Sequence, residues 1–290
     1  MNPEEDHGPR GLSRRTMLGV LLGGTSVGLL SRFMPAAFAL PLLRIERIGL
    51  QLYTVRKLLA GDVEGTIAAV AAAGVKEVEF AGYYNHDPAW WRALLDEHGL
   101  TAPATHEGMP ADDSGWEAIM SRAAAMGHEY VIVPSVYGGF KPSRESWKNF
   151  AARLNTGAVY AKEHGLSFGY HNHDHEFAAV EGTTGFEILA AETDPDTVKL
   201  ELDIYWAVKG GQDPLAIMKR WPGRVTCCHV KDAGPAPEHK MMDVGAGTID
   251  FRSLLAEGRK LGLQHWFIEH DNPVDPLASV RASAAAMRAL

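Results

Sequence analysis

Residues 198–232 read VKLELDIYWAVKGGQDPLAIMKRWPGRVTCCHVKD. The stretch begins and ends with short, largely apolar segments, Val198–Ile204 and Val225–Lys231, and a helical pattern, Pro214–Arg220, lies between them. Nearly continuous apolar runs of this length are typical of parallel strands that are buried on both faces. The stretch therefore predicts one strand–helix–strand unit of an α/β protein.

The same alternation extends through the rest of the chain. The other strand-like segments are Ile48–Tyr53, Glu77–Ala81, Thr101–His106, Tyr130–Ser135, Ser167–His173 and His265–His270. The other helical patterns are Val63–Ala73, Ala89–Glu97, Trp116–Met126, Ser146–His164, Phe186–Glu192, Phe251–Leu261 and Pro276–Arg288. Eight such units without a linker predict a (β/α)8 TIM barrel. The alternative is an open doubly wound sheet, which would place a glycine-rich turn after its first strand. Residues 51–56 contain no glycine.

The composition is that of a globular protein, with 46% hydrophobic and 22% charged residues, which excludes a disordered or collagen-like chain. The net charge of -8 argues against a nucleic-acid partner, because a protein that binds DNA or RNA normally presents a cationic face. The two cysteines are neighbours, Cys227 and Cys228, and a disulfide between adjacent residues is strained. We therefore expect the fold to depend on its hydrophobic core.

Residues 1–39 have the pattern of an export signal. The paired Arg14 and Arg15 resemble a bacterial twin-arginine signal, and they are followed by an apolar run over residues 17–30. Residues 37–39 read AFA, which is typical of a signal-peptide cleavage site. The apolar run is shorter than a membrane-spanning helix needs. We therefore predict cleavage after residue 39, no stable membrane anchor after cleavage, and a periplasmic or secreted barrel domain that comprises residues 40–290.

Replacing Arg14 and Arg15 with lysine tests the predicted export route while it preserves the charge. We expect the uncleaved precursor to remain in the cytoplasm, because the twin-arginine machinery recognises the arginine pair itself. Cell fractionation with an immunoblot measures the distribution, and Arg10→Lys, outside the pair, is the matched control. Normal export of the double variant would refute the twin-arginine prediction.

Ionisable and amide side chains cluster where the predicted strands end. They occur at six of the eight ends, and they are Glu79, His106, Glu107, His171 to Glu176, Glu201, Asp203, His229, Lys231 and Glu269 to Asn272. In a TIM barrel the active residues gather at the carboxyl ends of the strands. A core seldom tolerates so many ionisable groups unless they are paired or bind a metal. The pattern therefore predicts a functional site at this end of the barrel.

Side-chain alternation along a strand indicates which of these groups point into the barrel. On strands five to eight, the residues that share one side are His171 with His173, Glu201 with Asp203, His229 with Lys231, and Phe267 with Glu269, so the inward set offers one His, one Asp, one Glu and one more His or Glu. Any one of them is most simply a hydrogen-bonded core residue, whereas the four together predict a metal site. A mixed set of nitrogen and oxygen ligands suits Mn²⁺, Zn²⁺, Co²⁺ or Fe²⁺ better than Ca²⁺.

Several motifs resemble the sugar phosphate isomerase/epimerase group of xylose isomerase-like TIM barrels. They occupy residues 49–56, 78–83, 169–177, 201–206, 229–232, 244–251 and 268–272. The resemblance implies a small carbohydrate substrate and a divalent metal held by Glu, Asp, His and Glu from strands five to eight. Carried over, these positions are His171, Asp203, His229 and Glu269. Histidine stands at the first position where many members have glutamate, and His173 and Glu176 are alternative ligands from the same strand.

The resemblance also implies a reaction. In the isomerases and epimerases, two metal-bound glutamates face each other across the sugar and transfer a proton next to a carbonyl. Here Glu269 remains as a catalytic base, and His173 or His106 would serve opposite it. The expected function is thus a metal-dependent isomerase or epimerase of a small sugar, keto-sugar or cyclitol. Because one glutamate is replaced, a lyase or dehydratase acting on a 3-keto-glycoside or an inosose is the alternative.

Two further function classes are weaker alternatives. A non-catalytic periplasmic sugar-binding barrel disagrees with the retained Asp203, His229 and Glu269. An endonuclease for abasic DNA shares this barrel, but it would need a basic groove and additional metal ligands. The alanine-rich outer helices are compatible with a homodimer and do not require one.

Other residues are candidates for binding the substrate. Lys231 is placed to hold a hydroxyl or enolate oxygen, with a salt bridge to Asp232 or Glu201 as the alternative. Glu79 and Glu176 are polar candidates for substrate binding. The aromatic candidates for a wall on which a sugar ring stacks are Tyr53, Tyr83, Phe140 and Trp206.

A Gly-x-Gly loop at residues 245–248 precedes a predicted helix, where backbone N–H groups can bind a ligand. The alternative is that Thr248 or Asp250 simply caps that helix. Since sugar phosphates are chiefly cytosolic, the predicted export favours a free sugar, a glycoside or an oxidised derivative as substrate.

Overall fold

The computed structural model describes residues 45–136 and 138–290, so the predicted export signal lies outside the described residues. In this part of the chain, eight parallel strands form a closed barrel. They are β1 (Gly49–Gln51), β2 (Glu77–Phe80), β3 (Thr101–His106), β4 (Tyr130–Val133), β5 (Ser167–His171), β6 (Val198–Asp203), β7 (Val225–Val230) and β8 (His265–Ile268). Each strand pairs with its neighbours in sequence, and β1 closes on β8 with Gly49 opposite Phe267. The predicted (β/α)8 barrel is thus confirmed, and the open sheet is excluded.

Ten α-helices lie in the described ranges. They are α1 (Arg56–Leu59), α2 (Val63–Ala72), α3 (Pro88–Glu97), α4 (Gly115–Met126), α5 (Arg144–Glu163), α6 (Gly185–Glu192), α7 (Ile204–Lys209), α8 (Pro214–Arg220), α9 (Phe251–Lys260) and α10 (Pro276–Arg288). Two 3₁₀ turns, Leu52–Val55 and His175–Phe177, and two short hairpins, Ala179–Val180 with Thr183–Thr184 and Asp232–Ala233 with Met241–Met242, complete the elements. None of the described helices is both long and apolar enough to cross a membrane.

Aspartate caps explain where several helices begin. Asp87, Asp213 and Asp275 each accept a hydrogen bond from the first turn of α3, α8 and α10, and a proline follows each of them. An aspartate cap satisfies a backbone N–H that has no partner in the helix, and a proline at the next position loses no helical hydrogen bond. The sequence pattern therefore predicts these three starts closely.

The core has two layers, as alternation along the strands requires. Inside the barrel lie Ala104, Tyr130, Ile132, Cys227 and Phe267. Neighbouring positions, among them Cys228 and Val230, pack against the helices. Gly49 is needed where β1 meets β8, since an added Cβ would lie 2.5 Å from the Phe267 ring and 2.7 Å from the Trp266 carbonyl. These inner apolar residues fill the part of the barrel away from the carboxyl ends of the strands. The polar groups therefore form a separate layer at the carboxyl ends.

The predicted strands and main helices are confirmed, but every predicted strand except Thr101–His106 extends one or two residues beyond the end of the observed strand. The predicted strands Ile48–Tyr53 and Val198–Ile204 end early, because the chain turns into Leu52–Val55 with α1 and into α7. The cause at α7 is Asp203, which accepts a hydrogen bond from Trp206 N at 2.8 Å and so starts a helix directly at the strand end.

Candidate metal centre

A cavity of about 440 Å³ opens at the carboxyl ends of the strands. Its polar lining consists of Tyr53, His106, His171, His173, Lys231, Glu269, Asp271 and Asn272. A larger cleft of about 720 Å³ lies at the opposite end of the barrel, beside Arg47 and His265. None of the predicted site residues lines that cleft, so the smaller cavity is the candidate site.

Lys231 is buried at the base of the cavity, where three carboxylates surround its ammonium group. Its Nζ lies 2.9 Å from Asp203 Oδ2, 2.6 Å from Glu269 Oε2 and 2.7 Å from Asp271 Oδ1. Burial opposes the charge of Lys231, but the carboxylates outweigh it and hold its pKa well above the ordinary value. Burial also opposes the charge of Glu269, and the Lys231 ammonium overrides it and holds the Glu269 pKa well below its usual range. Both side chains are therefore ionised at neutral pH.

Two histidines lie between an upper and a lower pair of carboxylates. We call Asp203 and Glu269 the upper carboxylates, and Glu79 and Glu201 the lower carboxylates. His229 Nδ1 lies 2.7 Å from Glu269 Oε2, and its Nε2 lies 2.6 Å from Glu79 Oε2. His171 Nε2 lies 3.6 Å from Asp203 Oδ2, and its Nδ1 lies 3.0 Å from Glu201 Oε2. Each imidazole thus turns one nitrogen toward the upper pair and the other toward the lower pair.

The upper groups form a donor set that fits a divalent cation. Ligand atoms of Asp203, His229 and Glu269 lie within 4.8 Å of one another. Asp203 Oδ2 is buried and receives no hydrogen bond from the described residues beyond its ion-pair contact with Lys231. Burial raises the pKa of Asp203 to about 6 although Lys231 opposes this. Carboxylate and imidazole ligands of this kind suit Zn²⁺, Mn²⁺, Co²⁺ or Fe²⁺.

Two further groups of ligand atoms have a similar spacing. His106, His171, Glu201 and His229 form one below the upper carboxylates, and His173, His175 and Glu176 form the other at the rim. The first shares His229 with the upper set. A neutral imidazole binds one metal through one nitrogen, so the upper and lower sets compete for the same ring.

His173 and His106 line the cavity, as their predicted catalytic roles require. The His173 ring makes no hydrogen bond with any residue that the structure describes, and burial lowers its pKa, so it is neutral at pH 7. Its backbone N donates to Glu176 Oε2 at 2.8 Å. His106 Nε2 lies 2.7 Å from Glu201 Oε2. His173 is therefore the free imidazole of the cavity, whereas one nitrogen of His106 is engaged.

The polar substrate-binding candidates lie behind the cavity wall. Glu176 accepts hydrogen bonds from the Tyr170 hydroxyl and from the His173 backbone, and its Oε1 lies 3.1 Å from His175 Nε2. Glu79 is buried below His229. Neither residue lines the cavity: Glu176 supports His173, which does, and Glu79 contacts His229, which is fully buried.

Of the four aromatic residues expected in the cavity wall, Tyr53 is placed there. It is 43% exposed and lies under the Arg56 guanidinium, whose Cζ is 3.7 Å from the ring centroid. Trp206 lies at the edge, with its ring centroid 5.5 Å from that of His173. Tyr83 packs on Phe80, and Phe140 packs on Trp147. The expectation is therefore wrong for these last two, which serve the hydrophobic core.

The hydrogen bonds of Asp232 bear on two interpretations made from the sequence. Its carboxylate accepts hydrogen bonds from the backbone N–H groups of Gly245, Gly247 and Ile249. These backbone N–H groups of the Gly-x-Gly loop are therefore engaged by Asp232, and the ligand-binding role expected for the loop is wrong. The same engagement means that Asp232 is not the partner of Lys231. Asp250 caps α9 by accepting from Ser253 N, which was the alternative for this segment.

Two residues at this end of the barrel were given no individual role from the sequence, although Asp271 belongs to the polar cluster predicted at the last strand end. Asp271 bonds Lys231, and its position two residues after Glu269 was an available signal. Arg56 donates to the carbonyl oxygens of Tyr53 and Asp271 and to Asn272 Oδ1, at 2.7, 2.8 and 3.1 Å. Arg56 thus links the segment after β1 to the segment after β8, and no local sequence pattern predicts such a contact between distant segments.

The chain is similar in sequence and structure to known proteins. The family described as xylose isomerase-like TIM barrel matches residues 67–290. An inosose dehydratase of Lacticaseibacillus casei is 28% identical over 241 residues, which cover 71% of this chain and 80% of that enzyme. A sugar phosphate isomerase/epimerase of Parabacteroides distasonis superposes with a TM-score of 0.74 at 25% identity, over 88% of this chain and 98% of that chain.

A zinc-bound protein has the same fold. The crystal structure of the IOLI protein with a bound zinc atom superposes with a TM-score of 0.65 at 14% identity, over 83% of this chain and 96% of that chain. The relatives named above are a dehydratase and a sugar isomerase/epimerase, so the comparisons place the chain among enzymes. The family match covers the barrel from α2 to the end of α10. The chain belongs to the xylose isomerase-like TIM barrel family.

Proposed function

We propose that the protein is a divalent-metal-dependent lyase that dehydrates a keto-cyclitol or keto-sugar. The observation that carries the proposal is the histidine at the end of β5. His171 faces Asp203 where a proton-transferring isomerase of the type expected from sequence has a second glutamate. The cavity thus offers one free imidazole, His173, and a buried ammonium group, Lys231. The similarity to an inosose dehydratase supports the same reaction class.

Asp203, His229 and Glu269, whose ligand atoms lie within 4.8 Å of one another, would hold the metal, and His171, whose Nε2 lies 3.6 Å from Asp203 Oδ2, would be the fourth ligand. A divalent cation bound there supplies Lewis-acid polarisation of the substrate carbonyl, which acidifies the neighbouring C–H group. The donor set fits Zn²⁺, Mn²⁺, Co²⁺ or Fe²⁺, and the zinc atom of the IOLI protein favours Zn²⁺ as the first ion to test.

Two residues of the protein would carry out the remaining steps, one by transferring the proton and the other by stabilising the negative charge. His173, as the free neutral imidazole of the cavity, takes the proton from the carbon next to the carbonyl. The Lys231 ammonium stabilises the negative charge that develops on the enolate oxygen. The C–O bond to the hydroxyl on the next carbon breaks, and this hydroxyl leaves as water with the proton that His173 returns. The products are an unsaturated ketone and one water, and no oxidant or reductant is needed.

Turnover of a ketone panel by the metal-loaded protein tests the proposal. Inososes and 3-keto-glycosides are incubated in D₂O with the zinc-loaded and the EDTA-treated protein, and products are followed by ¹H NMR and mass spectrometry. We expect EDTA-sensitive loss of one water from at least one keto-cyclitol or keto-sugar. An epimer that carries solvent deuterium and has lost no water would instead establish an epimerase. No change in any ketone would favour a sugar-binding barrel.

A further inference from the structure

The lower carboxylates have no part in the proposed reaction, yet both are completely buried. Glu79 is 0% exposed and Glu201 is 1% exposed. The Oε1 atom of each has no hydrogen-bond partner among the residues that the structure describes. Burying a carboxylate is costly unless it is paired, so a functional or structural reason must hold these two in place.

The Oε2 atoms show what the lower carboxylates do. Glu79 Oε2 lies 2.6 Å from His229 Nε2, and Glu201 Oε2 lies 3.0 Å from His171 Nδ1. Each contact engages the ring nitrogen opposite to the one that faces the upper carboxylates. Burial and the neighbouring Glu201 raise the pKa of Glu79 to about 7, so above this pH both lower carboxylates are ionised and only accept hydrogen bonds. The ring nitrogen that faces such a carboxylate carries the hydrogen. By the same rule His229 Nδ1, 2.7 Å from Glu269 Oε2, also carries a hydrogen while no ion is bound, and the surrounding carboxylates hold the His229 pKa well above its ordinary value although burial opposes this. A bound cation would displace the hydrogen on the nitrogen that faces the upper carboxylates and use that nitrogen's lone pair.

Neighbouring side chains keep the lower carboxylates in this orientation. Gln51 Nε2 donates to Glu79 Oε2 at 2.7 Å, and Gln51 Oε1 accepts from Tyr53 N at 2.9 Å. On the other side, His106 Nε2 lies 2.7 Å from Glu201 Oε2. Glu79 is thus tied to the start of the Tyr53 turn, and Glu201 is tied to β3, so neither carboxylate can rotate away without breaking a further contact.

We propose that Glu79 and Glu201 are positioning residues for the metal centre, which select the metal-binding tautomer of His229 and of His171. Glu79 accepts the N–H of His229 Nε2 and leaves Nδ1 to the metal. Glu201 accepts the N–H of His171 Nδ1 and leaves Nε2 to the metal. The inference rests on the proposed metal centre and assigns a role that the sequence analysis gave to neither residue. Outer carboxylates of this kind fix the ring orientation and raise the basicity of a metal-binding histidine.

Zinc affinity of the purified protein, measured by competition with a chromogenic chelator, tests the inference without any substrate. The variants are Glu79→Gln, Glu79→Leu and Glu201→Gln. Glutamine retains an acceptor oxygen but loses the charge, whereas leucine removes the acceptor. We expect zinc to bind about 10-fold more weakly to Glu79→Gln and to Glu201→Gln, and about 100-fold more weakly to Glu79→Leu.

Glu77→Gln is the matched control. Glu77 lies on the same strand as Glu79, is also buried, and also pairs with a histidine, since its Oε2 lies 2.9 Å from His265 Nδ1. That pair lies at the opposite end of the barrel and does not contact the cavity. Loss of a buried Glu–His pair at this position should leave the zinc affinity unchanged. Circular dichroism establishes that each variant is folded, and the two glutamine variants decide the question should Glu79→Leu fail to fold.

Nitrogen chemical shifts of the histidine rings give a second readout that simple packing does not influence. In the zinc-bound wild type we expect His229 to carry its hydrogen on Nε2 and His171 to carry it on Nδ1. Zinc affinities of all three variants equal to that of the wild type would overturn the inference. So would loss of binding in Glu201→Gln together with normal binding in Asp203→Asn, because the ion would then lie among the lower groups. A wild type that binds no zinc would instead refute the metal centre itself.

Discussion

Asp203→Asn and His229→Ala are expected to abolish both zinc binding and turnover while the barrel remains folded. Each substitution removes one ligand of the proposed centre, so the zinc affinity should fall by more than the roughly 10–100-fold expected for an outer partner. Asp203→Asn is the cleaner variant. The asparagine keeps the Oδ1 that accepts from Trp206 N, and α7 therefore retains its cap. Zinc content by mass spectrometry, turnover and a thermal melt give the three readouts.

Asp213→Asn is the matched control for this experiment. Asp213 also caps a helix, accepting from Leu215 N at 2.9 Å, but it is exposed and lies away from the cavity. We expect normal zinc content and normal turnover in this variant. If Asp203→Asn retained the turnover of the wild type, Asp203 would not be a ligand, and the proposed centre would be wrong.

The fold was accessible from sequence because its signals are local. The apolar runs of β5 to β8 mark strands that are buried on both faces. The aspartate–proline pairs at Asp87, Asp213 and Asp275 mark helix starts. Alternation along β7 is equally local: Cys227 lies inside the barrel, and its neighbour Cys228 packs against the helices. In each case the decisive interaction lies within a few residues or follows from the period of the element.

The partners within the site were less accessible, because they depend on contacts between distant segments. The alternative given for Lys231 was a salt bridge to Asp232 or Glu201, but its ion-pair partners are Asp203, Glu269 and Asp271. The position of Asp271 depends on Arg56, which is 215 residues away in the chain. The Asp232 bonds to the 245–249 loop likewise join segments whose approach no local pattern encodes. Sequence thus indicates which residues gather at the barrel end, while tertiary packing decides which atoms meet.

Lys231→Met is expected to separate catalysis from metal binding. Under the proposed function, loss of the ammonium group removes the charge that stabilises the enolate oxygen, and kcat should fall by about 10²–10³-fold. Zinc should bind at least as tightly as in the wild type, since the Lys231 ammonium lies 2.9 and 2.6 Å from the same Asp203 and Glu269 oxygens that would bind the ion. This combination is the opposite of the result expected for the ligand variants.

The stability of Lys231→Met provides a further check on the same argument. Without zinc, the buried Asp203 and Glu269 and the partly exposed Asp271 have lost their shared cation in this variant, and removing one partner of a buried ion pair typically costs about 3–5 kcal/mol. Its Tm should therefore fall in EDTA and recover when zinc is added, because the ion replaces the missing positive charge.

Lys209→Met is the matched control. Lys209 is an exposed lysine of α7 that contacts the Glu238 carbonyl, and its removal should change neither kcat nor zinc affinity. Weaker zinc binding in Lys231→Met would show that Lys231 holds the upper carboxylates in place for the ion. Unchanged turnover would remove Lys231 from the reaction.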